Sequence, residues 1–335
     1  MLRRLCALVL LCCMLIPCLG AAEDTALYRA RTVGSASVFK TPDGEHGERL
    51  ASLKKGVWVQ ILAVDPTYVL ATINGVTGYI YRSRLEQVAA IDPASTPPYG
   101  VEVFGYTARA ITDAPVTSEK GAGTTLVTLH EGARLALIGI EDGYGKLIYH
   151  RQYAYVDTRC LTALENVRCA PDEALPAPIA AYTSYYRLAD TEANIGRMKN
   201  IAAACEKLSA ITLAPGESLD FNGQIGPYSK RNGYFVAPVL VDGETKLNYG
   251  GGTCQVSSTL YNVVLQLPGL TVVKRRAHGP SGASYLPHGV DAAVGNSTLN
   301  FVFRNDYDFP VRIDASAQDG ALYIAIWRAE DASVE

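Results

Sequence analysis

The sequence predicts a β-rich, multidomain protein in which two small β units precede an α+β domain. Three observations carry that expectation. Hydrophobic and glycine positions repeat 76 residues apart in the first half of the chain. Two proline-rich stretches interrupt it. In the second half, Gly250-Gly251-Gly252-Thr253-Cys254-Gln255 opens an amphipathic helical segment.

The elements follow in order. Arg3-Arg4, an apolar run from Leu5 to Ile16, and Gly20-Ala21-Ala22 have the order of a secretory signal peptide, residues 1–22, with cleavage expected after Ala22. The run is shorter than the ~20 residues a spanning helix needs, so no transmembrane segment is expected in the mature chain. Pro17 stands where a lipidation site at Cys18 requires a small residue. The formal net charge of −3 becomes more acidic once the two arginines leave. No cluster of Lys and Arg marks a nucleic-acid surface.

Residues 27–90 and 100–165 form the repeat. Leu53-x-x-Gly56 returns as Leu129-x-x-Gly132, Gly78-Tyr79-Ile80 as Ala154-Tyr155-Val156, and Arg84-Leu85 as Cys160-Leu161. Val57, Val59 and Ile61 alternate in the first copy, and Ala133, Leu135 and Leu137 in the second, the mark of short antiparallel strands. With the Asn74-Gly75 hairpin signal and the closing Leu85, each copy resembles the bacterial SH3 domain, which implies two small β-barrels. The resemblance implies wall binding, for which Trp58 and Tyr79 are the candidates. Alternatively these aromatics fill the units' own cores.

Ile91-Asp92-Pro93-Ala94-Ser95-Thr96-Pro97-Pro98 reads as a first linker and residues 166–180 as a second, both stiffened by proline. A domain follows over 181–330. A helix is expected from about Thr191 to Leu208, with Ile195, Met198, Ile201, Cys205 and Leu208 on its apolar face. Turn-rich strands and a second helix follow, the latter with Val256, Leu260, Val263, Val264 and Leu267 on one face and Pro268-Gly269 at its end. The tail alternates at Leu299, Phe301 and Phe303 and again at Leu322, Ile324 and Ile326.

Cys254 falls in the first turn of the second helix, where unpaired N–H groups and the positive dipole end favour a thiolate. The glycines before it allow close approach of a ligand, which makes Gly251, Gly252 and Thr253 candidate substrate contacts, and amides around Gly252, Thr253 and Cys254 are candidate oxyanion donors. A cysteine nucleophile also needs a base. His278, on a Gly/Pro/Ser loop, is the choice, with His288 the alternative. Asp291 either orients His278 or caps a turn. No pattern of paired Cys and His ligands calls for a metal, and no cofactor is implied.

Cys160, Cys169, Cys205 and Cys254 remain after the signal peptide. In an exported chain they invite a disulfide reading, with Cys160 and Cys169 the easiest pair to join. A Cys205–Cys254 bridge would abolish thiol chemistry.

Segment 182–327 resembles the VanW family of bacterial cell-envelope proteins. The matching pieces are Asn194-Ile195-x-Arg197, Leu213-x-Pro215-Gly216-Glu217-x-x-x-Phe221-Asn222, Gly226 before Gly233-Tyr234, and the Gly-Gly-Gly-Thr-Cys-Gln motif. Arg275-x-x-His278, Tyr285-x-Pro287-x-Gly289-x-Asp291-Ala292 and Phe303-x-Asn305 complete them. The resemblance implies peptidoglycan stem peptides as partners, a secreted or wall-associated location, and cysteine L,D-transpeptidase activity. Arg275 then becomes a clamp for a peptide carboxylate, and Tyr285 a further substrate contact. Hydrolysis of stem peptides and non-catalytic wall binding are the alternatives.

Overall fold

The computed structural model describes residues 26–42, 44, 47–91, 101–167, 177–209, 211–241, 244–279 and 282–329. The expected signal peptide and Cys169 lie outside them. The described residues are β-rich, with three α-helices: α1 (Glu192–Ser209), α2 (Phe221–Ile225) and α3 (Thr253–Val264). All the strand pairings described are antiparallel.

The repeat is visible in the backbone. Strands Tyr68–Ile73 and Val76–Tyr81 and the 3-10 turn Arg82–Arg84 recur as Tyr144–Tyr149, Gln152–Asp157 and Thr158–Cys160. Each is displaced by the same 76 residues. Asn74 and Gly75 take φ of 50° and 78°, the left-handed pair a two-residue hairpin needs. In the second copy the equivalent loop is His150-Arg151, between the paired Tyr149 and Gln152, and His150 supplies φ of 56°.

Neither copy closes into a ring by strand pairing. The first is a seven-stranded sheet with Arg49–Leu53 and Leu85–Ala90 at its two edges. The second is divided between a five-stranded and a three-stranded sheet. Ala30, Val38, Val59, Ile61, Val69 and Ile80 fill the core of the first copy.

In the C-terminal part, Pro178–Tyr185, Ala321–Arg328, Val311–Gln318 and Thr212–Leu213 lie side by side in a four-stranded sheet. α1 packs on Val311–Gln318, and α3 packs on Pro178–Tyr185 and Ala321–Arg328. The strand Arg134–Leu137 of the second copy packs on these same two strands. This explains why the alternation at Leu322, Ile324 and Ile326 understates burial: Ala321, Tyr323 and Ala325 are buried too. Phe104, Ala136 and Ile148 belong to the same apolar cluster as Ile201, Val256 and Leu260. Arg134 seals the contact by pairing with Asp314 at 2.8 and 2.5 Å and by lying 4.1 Å above the Tyr323 ring.

α1 starts one residue later than the sequence pattern places it. Ile201, Cys205 and Leu208 face inward as expected, but Ile195 is exposed. Asn200 lies inward instead, because its amide donates to the carbonyls of Phe235 (3.0 Å) and Gly251 (2.9 Å). All five apolar positions expected for the Cys254 helix are buried. Each such side chain contributes about 1.5–3 kcal/mol of transfer free energy, which holds the helix start in place from its far end.

Candidate active site

The start of α3 is set by its glycines. Gly252, at the N-cap, has φ of 108°, and a Cβ there would lie 3.0 Å from both Arg197 Cγ and Ile201 Cγ1. The loop therefore lies directly on α1, with no room for a side chain. Thr253 closes the turn by donating from both its amide (3.1 Å) and its hydroxyl (2.9 Å) to the Gly250 carbonyl. Thr253 is 3% exposed and lines the same cavity as Cys254. The Gln255 amide donates to Gly252 O at 2.9 Å. The Cys254 amide has no acceptor among the described residues, which leaves one free donor beside the sulfur.

Cys254 Sγ lies 3.3 Å from Val294 O and 3.4 Å from Val294 N. Across from it stands His278, which follows the strand Leu270–Lys274. The Asp291 carboxylate receives His278 twice, from the backbone amide at 2.7 Å and from Nδ1 at 2.6 Å. With Nδ1 committed, Nε2 is the nitrogen left for Cys254, and a side-chain hydrogen bond joins the two residues.

Burial opposes charge on His278, but Asp291 and Cys254 outweigh it and raise the imidazole to about 9. Burial likewise opposes charge on Asp291, and the bonds from His278 overcome it, holding the carboxyl below its usual range. The ring is therefore an imidazolium at neutral pH, the counter-ion a thiolate nucleophile requires.

Arg275 does not reach the cavity. Its guanidinium donates to Asp291 O (2.7 Å), Gly289 O (2.8 Å) and Asp291 Oδ1 (3.3 Å). The carboxylate it clamps belongs to the protein itself. His288 is held through its carbonyl, which accepts from Arg82 Nη2 at 3.0 Å. It does not line the cavity.

That cavity, of about 1010 Å³, is lined by Cys254, His278, Gly251, Gly252 and Tyr285, together with Arg197, Asn222, Tyr228 and Asp220. Sequence reasoning left Arg197 without a chemical role and did not weigh Asn222 or Tyr228. Tyr228 donates to Asn222 Oδ1 at 2.7 Å, and the Asn222 amide donates to Asn296 O and Leu299 O at 2.8 Å each. The Asn222 contacts reach 74 and 77 residues along the chain, and such long-range pairings carry no local sequence signal.

The remaining thiols are elsewhere. Cys205 is buried, which pushes its thiol up to about 12, and it is unbridged. Cys160 packs against the core of the second copy as a half-buried apolar group, and Cys169, its expected partner, lies outside the described residues. Among the described residues no group of His, Cys, Asp and Glu is arranged to hold a metal.

Trp58 and Tyr79 do not line the same groove. Trp58 is 48% exposed and lines a separate groove of about 590 Å³ with Arg29, Gln60, Thr72 and Asn74. Tyr79 lies two strands away, on Val76–Tyr81, and is no part of that groove.

Residues 196–327 match the family model described as VanW like protein. They are a VanW-like domain. Cys254, His278, Asp291 and Arg197 all fall inside it. Two curated proteins are similar to this chain. The uncharacterized protein YoaR of Bacillus subtilis (strain 168) is 34% identical over 152 residues, 45% of this chain and 48% of that protein. The vancomycin B-type resistance protein VanW of Enterococcus faecalis (strain ATCC 700802 / V583) is 29% identical over 124 residues, 36% and 45% of the two chains. The chain thus spans less than half the length of either relative. Among solved structures, NlpC1 of Trichomonas vaginalis aligns over 92% of this chain and 95% of its own at 14% identity, with a TM-score of 0.19. A superposition that loose carries no argument. No helix of the described residues is long and apolar enough to cross a membrane.

Proposed function

We propose that this is an exported peptidoglycan-modifying protein whose VanW-like domain acts on stem peptides as a cysteine L,D-transpeptidase. The observation that carries the reading is the Cys254–His278–Asp291 arrangement at the wall of an open cavity. The similarity to a vancomycin-resistance protein supports peptidoglycan as the substrate class.

In this reaction the Cys254 thiolate attacks the carbonyl carbon of the third stem residue, and the free Cys254 amide donates to the oxygen as it becomes negative. His278, already protonated, gives its Nε2 proton to the departing nitrogen, and D-alanine leaves as the amine. The enzyme is then a thioester. Neutral His278 next takes a proton from the incoming side-chain amine of another stem, which attacks the thioester carbonyl and releases the Cys254 thiolate. Asp291 keeps Nδ1–H oriented throughout. Water in place of the amine gives hydrolysis by the same steps.

Residues 27–90 and 100–165 are proposed as SH3-like units that place the domain on the wall, with the Trp58–Arg29 groove as the contact. The groove favours wall binding as a second function of the chain; Tyr79 has no comparable support. The test of the main reading is intact mass. Full-length protein incubated with a tetrapeptide muropeptide gains a thioester adduct, and Cys254→Ala does not. An unmodified wild-type protein, or an equal adduct on Cys254→Ala, ends the acyl-transfer reading.

A further inference from the structure

The cavity holds a cation that the reaction steps above do not use. Arg197 projects from α1, its stem lies against Gly252, and its guanidinium shares the cavity wall with Cys254. Its one hydrogen-bond partner among the described residues is Gln255 Oε1, at 2.5 Å, a neutral acceptor. Gln255 is itself fixed, since its amide donates to Ser184 Oγ (3.1 Å) and Tyr185 O (3.0 Å). The guanidinium is therefore oriented but not neutralised. It has five N–H donors, and most are unused.

Burial pulls Arg197 below the usual arginine range, and no carboxylate among the described residues pairs with it. Leaving a charge in that state is costly unless a ligand completes it. Two other cations near the triad are committed elsewhere, Arg275 to Asp291 and Gly289 and Arg151 to the carbonyls of Ala283 and Leu286. Asp220, which also lines the cavity, accepts from Asn300 (2.8 Å) and from the Gly223 amide (3.0 Å).

A second unused donor belongs to another residue that lines this cavity. The Tyr285 hydroxyl is buried and has no hydrogen-bond partner among the described residues. Ser258, beside it, already donates to Ala292 O (3.2 Å) and accepts from Ala292 N (2.9 Å). Burial raises Tyr285 far above the usual phenol range, so it stays a donor.

We infer that Arg197, with Tyr285, binds the free α-carboxylate of the acyl donor's terminal residue. This rests on the acyl-transfer reading for the position of the attacked carbonyl. Arg197 and Cys254 line the same cavity, and the Arg197 stem lies against Gly252, two residues before the sulfur, so one bound peptide end can meet both. A guanidinium fork matches the planar carboxylate of a leaving D-amino acid. An amide within an existing cross-link lacks that group. The site thus selects the free ends of stems and disfavours cleavage in the middle of a cross-link.

The test separates binding from chemistry. On the full-length Cys254→Ala background, calorimetry compares the tetrapeptide L-Ala-D-Glu-diaminopimelyl-D-Ala with its C-terminal D-alanine amide. The acid is expected to bind about 10- to 100-fold more tightly. The ratio should fall toward one in Arg197→Gln and be partly kept in Arg197→Lys, with melting curves confirming that each variant is folded. The two peptides compared on the Arg197-bearing protein decide the matter even where a variant fails to fold. Equal binding of acid and amide, no measurable binding of the acid, or an undiminished ratio in folded Arg197→Gln overturns the assignment. The thioester on wild-type Cys254 is a separate result. Its absence with the binding ratio intact removes the acyl-transfer reading and leaves the carboxylate site standing.

Discussion

Arg151 of the second N-terminal copy donates to the Ala283 carbonyl at 3.0 Å and to the Leu286 carbonyl at 3.2 Å, across 132 and 135 residues of chain. Those carbonyls belong to the segment that joins His278 to Asp291 and carries Tyr285. Arg82 of the first copy holds the same segment at His288 O, and Thr67 donates to Arg151 O at 2.5 Å. Both N-terminal units thus brace the loop behind the candidate triad.

Arg151→Ala in the full chain should therefore slow thioester formation by about 10- to 100-fold, because small displacements of a reacting group are costly. The chain should remain folded, since the core clusters lie elsewhere. Time-resolved intact mass checks the rate. An unchanged rate would show that the loop holds its shape without this contact.

The His278 resonances should titrate near pH 9 in the wild type, and Asp291→Asn should bring them down toward 6.5. Because the folded value is raised, the stability drawn from the protonated ring is fully present below about pH 6.5 and is lost as pH rises through about 9. Asp291 contributes in the other direction, losing its share only as pH falls through its lowered value, below 3.8. A wild-type titration at 6.5 would rule out the ion-pair mechanism.

Cys254→Ser should keep the fold but lose activity by several orders of magnitude, and His278→Ala should lose nearly as much, since members of one unit are not additive. Muropeptide analysis of purified wall treated with each variant is the measurement. Near-wild-type turnover in either variant would promote the non-catalytic wall-binding reading.

Gly252→Ala combines a φ of 108° with a methyl 3.0 Å from Arg197 Cγ and Ile201 Cγ1. A loss of about 1–3 kcal/mol is expected by chemical denaturation, from the backbone conformation before any clash is counted. Gly279 also has a positive φ, 107°, but nothing lies within 4 Å of its added Cβ, so Gly279→Ala is the control for conformation alone. Equal losses in the two would remove the argument that Gly252 is needed for close packing on α1.

Trp58→Ala should weaken co-sedimentation of the full chain with purified peptidoglycan and leave its melting temperature unchanged, because the ring is half exposed. Tyr79→Ala should not weaken retention. The reverse pattern would move the contact off the Trp58 groove.

The sequence by itself determined the elements with a local period and the residues with a local setting. The 76-residue repeat fixed the hairpins, because strand alternation and left-handed turn residues act within a few positions. The apolar face of α3 and the glycines before it fixed Cys254 at a helix start. His278 and Asp291, only 13 positions apart, were close enough for their pairing to be foreseen. What tertiary structure alone decided was where long, flexible cations point. Arg275 turns to Asp291, Arg197 faces the cavity, and Arg151, at the hairpin position that holds Gly75 in the first copy, reaches the loop behind the triad. A guanidinium on several rotatable bonds takes its direction from whichever acceptors the fold brings near, and those acceptors here are mostly backbone carbonyls, which no side-chain pattern records.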